Sequence, residues 1–327
     1  MSLSPGAGNE PHPPLRRLLI RKLRRGRHHP RLGKLVAAVE RRLGPLEHRL
    51  PAPVSPSLNH ALERLAETAP EATDAPVFVL SAGWRSGSTL VQRLIMSRGQ
   101  VLLWGEPWNR CDLTNRLAES LRPIGPDWPF SSTLFPDSVR DSRIERTWVA
   151  NLYPGPADLV EAHRDLFRRL LASPAREQGY PHWGMKAVRL GAGEAAYLRL
   201  LFPRARLVLL YRNPRHAWAS YRQSGLHAFR RWPECPVRTV GAFARNWADL
   251  TGGFVAQWRD LDAFLVSYEA LIGDGATRCA LERYLGTPLD HRALDHRVGA
   301  SAPRRLSWYE RRRIDAIAGP LARELGY

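Results

Sequence analysis

A chain of 327 residues with 44% hydrophobic and 24% charged residues can build a core, which excludes a wholly disordered polymer. Its length suits one large α/β domain with an appendage, or two domains. Forty-nine Lys and Arg against 31 Asp and Glu leave a net charge of +18, which calls for an anionic partner: nucleic acid, a membrane surface or a phosphorylated small molecule.

The three cysteines, Cys111, Cys235 and Cys279, form no CxxC pair, so neither a zinc ribbon nor a disulfide framework is expected. No run approaches the roughly 20 apolar residues of a membrane span. Charges interrupt the apolar residues of the N-terminus, so no signal peptide is expected and a cytoplasmic protein is. Only Lys22, Lys34 and Lys186 are lysines; the other 46 basic residues are arginines.

The first 50 residues hold 12 basic and 3 acidic side chains. Eight of the basic ones fall between Arg16 and Arg31, threaded with Leu15, Leu18, Leu19, Ile20 and Leu23. Prolines flank this stretch on both sides. Residues 1–75 read as a separate, basic, Pro-rich N-terminal extension with short helices. Residues 15–31 fit a tether to an anionic membrane surface or another polyanion, and they equally fit a solvated tail.

From residue 76 strands and helices alternate. Val77–Leu80 reads as a buried strand, 81–87 as a loop, and 89–98 as a helix with Leu90, Val91, Leu94 and Ile95 on one face. Val101–Trp104 is a short strand. Residues 105–182 are less regular, rich in proline and tryptophan, with one helix near 157–172. Strands follow at 183–188, 206–211 and 264–268. Helices are expected at 193–201, from Asn213-Pro214 to about Gln223 with Gly225 as its stop, and at 238–258, 276–285 and 307–325. This alternation predicts a three-layer α/β domain over 76–327 with a central, mainly parallel sheet.

Strand, then Gly83-Trp84-Arg85-Ser86-Gly87-Ser88-Thr89, then helix, is the layout of a phosphate cradle. Free amides and the dipole at a helix N-terminus attract anions. Glycines permit close approach, Ser86, Ser88 and Thr89 supply hydroxyls, and Arg85 supplies charge. The GxxxxGK[ST] lysine of ATP and GTP sites is absent, and no acidic strand end is evident to hold magnesium. A second anion site is expected where the 206–211 strand ends at Arg212, with Ser220 on the helix that follows. Both lie at the carboxyl edge of the sheet, where α/β folds bind ligands. Two such sites suit a nucleotide phosphorylated at both its 5′ and 3′ ends.

At these residues the chain resembles the sulfotransferases that use 3′-phosphoadenosine-5′-phosphosulfate. Arg85-Ser86-Gly87-Ser88-Thr89-Leu90 is similar to their 5′-phosphosulfate loop. Phe202-Pro203-Arg204-Ala205-Arg206, Arg212-Asn213-Pro214-Arg215 and Trp218-Ala219-Ser220 are similar to their 3′-phosphate motif. Trp183-Gly184-Met185-Lys186, Tyr268-Glu269-Ala270-Leu271, Tyr284-Leu285-Gly286 and Leu325-Gly326-Tyr327 complete the series in order. Gly105-Glu106-Pro107 resembles the branch with bacterial and tyrosylprotein-type members. Val298-Gly299-Ala300-Ser301 and Arg304-Arg305 are a weak match to the Arg-Lys-Gly segment of the small-molecule branch.

The resemblance implies a P-loop-like sulfotransferase fold, with 3′-phosphoadenosine-5′-phosphosulfate as co-substrate and no metal. It implies Glu106 as the base, with Arg85 and Lys186 stabilising charge. It implies Arg85, Ser86, Gly87, Ser88, Thr89, Leu90, Arg212 and Ser220 at the nucleotide, and Tyr268 near the adenine. His182 and His216 could approach the same site. Residues 105–182 become an acceptor-side insertion whose aromatics, with Trp104 and Trp183 at its borders, suit a small-molecule or glycan acceptor or an apolar chain. Two other readings compete. An atypical P-loop kinase would need ATP and magnesium. A polyanion or nucleic-acid binder would show steep salt dependence, but no recognised nucleic-acid motif accompanies the charge, so no specific nucleic-acid partner is expected.

Overall fold

The structure, a computed structural model, describes residues 56–125, 128–129, 134–135, 152–223, 237–295 and 305–327. The basic 15–31 segment, Gly225, Phe130, Trp148, Val298–Ser301 and Arg304 lie outside these residues.

Five strands, β1 (Val77–Ser81), β2 (Val101–Gly105), β3 (His182–Ala187), β4 (Arg206–Tyr211) and β5 (Phe264–Ser267), form one sheet in the order β2-β3-β1-β4-β5. Every pair is parallel, with Val77 opposite Gly184 and Arg206 on its two sides. β1 is apolar because it is buried on both faces. Its alternation splits the core: Phe78 and Leu80 enter one cluster and Val77 and Val79 another. The first cluster packs under α1 (Pro56–Ala66), α4 (Pro156–Phe167) and α6 (Ala192–Leu201). The second packs under α2 (Ser88–Met96), α9 (Tyr268–Gly273) and α10 (Gly275–Leu285). A third joins α7 (Pro214–Gln223), α8 (Val240–Gln257) and α11 (Trp308–Glu324). Among the described residues, no helix is long and apolar enough to cross a membrane.

Three features differ from the sequence reading. The segment before residue 76 is not all extension: α1 buries Leu58, Ala61, Leu62 and Leu65 in the same cluster as the sheet. The chain between is clamped by Arg164, whose fully buried guanidinium donates to the Leu201 and Pro70 carbonyls, and by Arg168 on Asp74. Short and amphipathic, α1 carries no sequence mark of its partner.

Second, α3 (Leu113–Leu121) lies in the stretch read as irregular. It is one buried edge of Ala118 and Leu121, begun by Asp112 in a left-handed conformation. Third, α4 runs on through a π-helical stretch, Arg168–Ala172, into α5 (Ser173–Glu177). Pro174 has no amide for the Leu170 carbonyl, and the Ser173 amide bonds instead to Arg168, five residues back.

Candidate active site

Because all strands run one way, all their C-terminal ends lie on one edge. In sheet order that edge delivers Glu106 after β2, Lys186 in β3, the 82–87 loop after β1, Arg212 after β4, and Tyr268 with Glu269 after β5.

The loop after β1 is shaped by positive φ at Gly83 (82°), Arg85 (66°) and Gly87 (92°). A Cβ on Gly87 would sit 2.1 Å from the Tyr268 ring, so glycine is required there by both conformation and space. The Ser86 hydroxyl donates to the Gly83 carbonyl and is hydrogen-bonded to Ser81, which holds the turn from inside. Trp84 is buried in the third cluster with Trp218 and Tyr221, drawing the loop toward α7. No side chain caps the start of α2, and an uncapped helix N-terminus is the kind of place that attracts anions. Ser88 is buried and Thr89 exposed. Leu90 is not brought to this site: its side chain packs in the second core cluster and its amide is taken by the Gly87 carbonyl.

The residues of the two expected anion sites adjoin one another. Arg85 Nε donates to Ser220 Oγ at 3.0 Å, and Arg212 Nη1 donates to the Arg85 carbonyl at 3.0 Å. Burial, and then the positive charge of Arg212, lower the pKa of Arg85. An anion between two such neighbouring guanidiniums would ease their repulsion. Arg212 also lies over the Tyr268 ring, 4.4 Å from its centroid.

At the other end of the edge, Lys186 Nζ donates to Glu106 Oε1 at 2.5 Å, with side chains 7% and 21% exposed. The Glu106 amide donates to the Lys186 carbonyl at 2.7 Å while Glu106 itself holds a positive φ of 48°. The carboxylate is therefore aimed by a strained backbone and neutralises a nearly buried ammonium. An open pocket adjoins Glu106. Trp108, 61% exposed, stands in its wall, and Asp112 and Arg189 approach each other there at 3.7 Å.

The expected aromatic wall divides. Trp183 is core, edge-on to Phe78 and Phe202. Trp104 is half-buried and donates to the Leu171 carbonyl beside the π-helical stretch. Trp128 meets Tyr153. His182 begins β3 and so lies at the opposite end of the strand from the site. His216 lies 3.7 Å from Glu269.

Two residues at the site carried no assigned role in the sequence reading. Glu269 accepts from the Asn213 amide at 3.2 Å and lies 3.9 Å from Arg212. Tyr327 donates to Glu269 at 2.7 Å. Burial, and then this bond, push the Tyr327 phenol far above its usual range, so it remains a donor. Their signals were the Tyr268-Glu269-Ala270-Leu271 and Leu325-Gly326-Tyr327 stretches. Trp247, which donates to the Arg212 carbonyl at 2.8 Å, left no signal beyond an apolar helix face. Among the described residues no group of three or more His, Cys, Asp or Glu could hold a metal ion.

The family model described as "Sulfotransferase family" matches residues 76–291. The chain belongs to the sulfotransferase family. Among solved structures, the sulfotransferase domain of the Synechococcus PCC 7002 olefin synthase is 14% identical, covering 76% of this chain and 97% of that one, with a TM-score of 0.39. Sulfotransferase STF9 from Mycobacterium avium is 17% identical over 82% of this chain and 83% of that one, with a TM-score of 0.38. Mouse sulfotransferase SULT7A1 complexed with PAP is 13% identical over 74% and 70%, with a TM-score of 0.35. No curated protein matches. Membership rests on the family match. It makes the protein a sulfotransferase enzyme with a P-loop-like α/β fold and disfavours the kinase and polynucleotide-binder readings.

Proposed function

We propose that this sulfotransferase moves the sulfuryl group of 3′-phosphoadenosine-5′-phosphosulfate to a hydroxyl of a carbohydrate, lipid or secondary-metabolite acceptor, releasing adenosine 3′,5′-bisphosphate. The observation that carries this reading is the joining of Arg85, Ser220 and Arg212 into one hydrogen-bonded cluster at the sheet edge. Such a cluster suits a donor with anions at both ends. The α2 amides, Ser88 and Thr89 take the 5′ end, and Arg212 with Ser220 takes the 3′-phosphate. Tyr268, between Gly87 and Arg212, supports the nucleotide from below.

Sulfuryl transfer, like phosphoryl transfer, asks the protein chiefly for positioning and charge stabilisation. The acceptor oxygen forms a bond to sulfur as the bond from sulfur to the 5′-phosphate oxygen breaks, and the acceptor proton passes to the Glu106 carboxylate. Lys186 pairs with that carboxylate in the resting site, and with Arg85 it stabilises the charge gathering on the departing phosphate. The pocket beside Glu106 receives the acceptor.

Incubation with ³⁵S-labelled donor and a panel of hydroxylated acceptors tests this. The expected result is label on an acceptor with stoichiometric adenosine 3′,5′-bisphosphate. A protein that neither binds that bisphosphate nor releases it from the donor refutes the reading.

A further inference from the structure

The start of α11 carries exposed side chains that have no role in the active site as described. Trp308 and Tyr309 are 68% and 53% exposed. Arg311, Arg312 and Arg313 are exposed beside them. Glu310, the one acid between Ser307 and Arg313, turns inward, where Trp218, Arg222 and Ser307 hold its carboxylate. Nothing negative in this segment therefore offsets its three cations. Arg245 on α8 lies beside Arg313, since a Cβ on Gly241 would be 3.2 Å from Arg313 Nε and 3.8 Å from Arg245 Nη2, but Asp249 one turn along α8 offsets its charge. The nearest acid further along α11, Asp315, is already paired with Arg215.

We propose that this face docks on a bilayer surface containing anionic phospholipid. Guanidiniums beside an indole and a phenol match the headgroup layer, where phosphates lie just above the acyl boundary. A single-stranded nucleic acid would need open aromatic faces to stack on. Here Arg312 already covers a face of the Trp308 ring, 5.2 Å from its centroid. That cation–aromatic pair can enter a headgroup layer as it stands, with the indole edge toward the lipid. The inference is independent of donor and acceptor identity.

The test is co-sedimentation of the full-length protein with vesicles of phosphatidylglycerol and phosphatidylcholine, against vesicles of phosphatidylcholine alone. Binding to the anionic vesicles only is expected. Trp308→Ser with Tyr309→Ser should weaken it by about tenfold or more, because two interfacial aromatics are lost. Arg311→Gln with Arg312→Gln should weaken it and flatten its salt dependence. Both pairs are exposed, so melting temperatures should match the wild type. Wild-type protein that ignores anionic vesicles overturns the proposal. So does undiminished binding by both double variants while full-length protein with Arg21, Arg24, Arg25 and Arg27 changed to Gln loses it. Loss of oligonucleotide affinity in the aromatic variant, with vesicle affinity intact, overturns it in favour of a nucleic-acid surface.

Discussion

The two halves of the sheet edge are built differently. On the β4–β5 side, Arg212 is held by Glu269, Trp247, Tyr268 and the loop carbonyl, and Tyr327 holds Glu269. On the β2–β3 side, two ion pairs, Glu106 with Lys186 and the longer Asp112 with Arg189, face an open pocket. A densely bonded half keeps one geometry and suits a ligand that never changes. A half with isolated charged pairs around an open pocket can meet different ligands. In a sulfotransferase this division fits a constant donor and a variable acceptor.

Breaking the β2–β3 side should give the largest effect. Glu106→Gln keeps the shape of the side chain but cannot accept a proton as a carboxylate does. Turnover should fall by about 10²–10⁴-fold, the usual contribution of a general base. Affinity for adenosine 3′,5′-bisphosphate, measured by calorimetry, should stay within about twofold, as Glu106 touches none of the groups that form the 3′ site. Unchanged turnover removes Glu106 as the base.

Breaking the other half should move binding instead. Arg212→Ala removes a charged donor worth about 1.5–3 kcal/mol. Affinity for adenosine 3′,5′-bisphosphate should drop accordingly, by about 10–150-fold. Affinity for adenosine 5′-monophosphate should barely change. Equal losses for both nucleotides would show that Arg212 does not read the 3′-phosphate.

A subtler cut goes through a residue that should touch no ligand. Tyr327→Phe deletes the hydroxyl that steadies Glu269, and through it the Arg212–Asn213 turn. A net hydrogen bond of about 1 kcal/mol predicts a fall of roughly fivefold in the ratio of bisphosphate to monophosphate affinity, with the rate of bound donor little altered. A purely structural role would lower the melting temperature and leave that ratio alone.

The β4–β5 half was also the more legible in sequence. A strand, a charged residue at its end and Asn-Pro opening a helix are local signals. β4 and α7 appear where those signals place them. So do β1 and the glycines after it, because a turn at positive φ leaves few choices. What stayed hidden depends on contacts between distant residues. Glu269 and Tyr327 are 58 positions apart and meet only in the fold. Helix α1 is defined by what it covers, and Leu90 looked like part of a ligand loop because the motif runs three residues, Ser88 to Leu90, into a core-facing helix. Trp183 and Trp108 were indistinguishable by type; strand membership buries one and a loop exposes the other.

The smallest effect expected reaches the nucleotide half through its support. Glu310 joins α11 to α7 by accepting from Arg222 and Trp218, and α7 carries Ser220. Burial alone would raise the Glu310 pKa, but donors from Ser307, Arg222 and Trp218 outweigh it and hold the group below its ordinary 4.5. The carboxylate's contribution is therefore complete above that value and is lost as pH falls beneath it. Glu310→Gln should cost about 0.5–1.5 kcal/mol at neutral pH. The melting temperatures of wild type and variant should converge on acidification, with nucleotide affinity changed by less than about twofold at neutral pH. A gap between the two that stays constant through the acid range would mean that the charge of Glu310 does not lock these helices together.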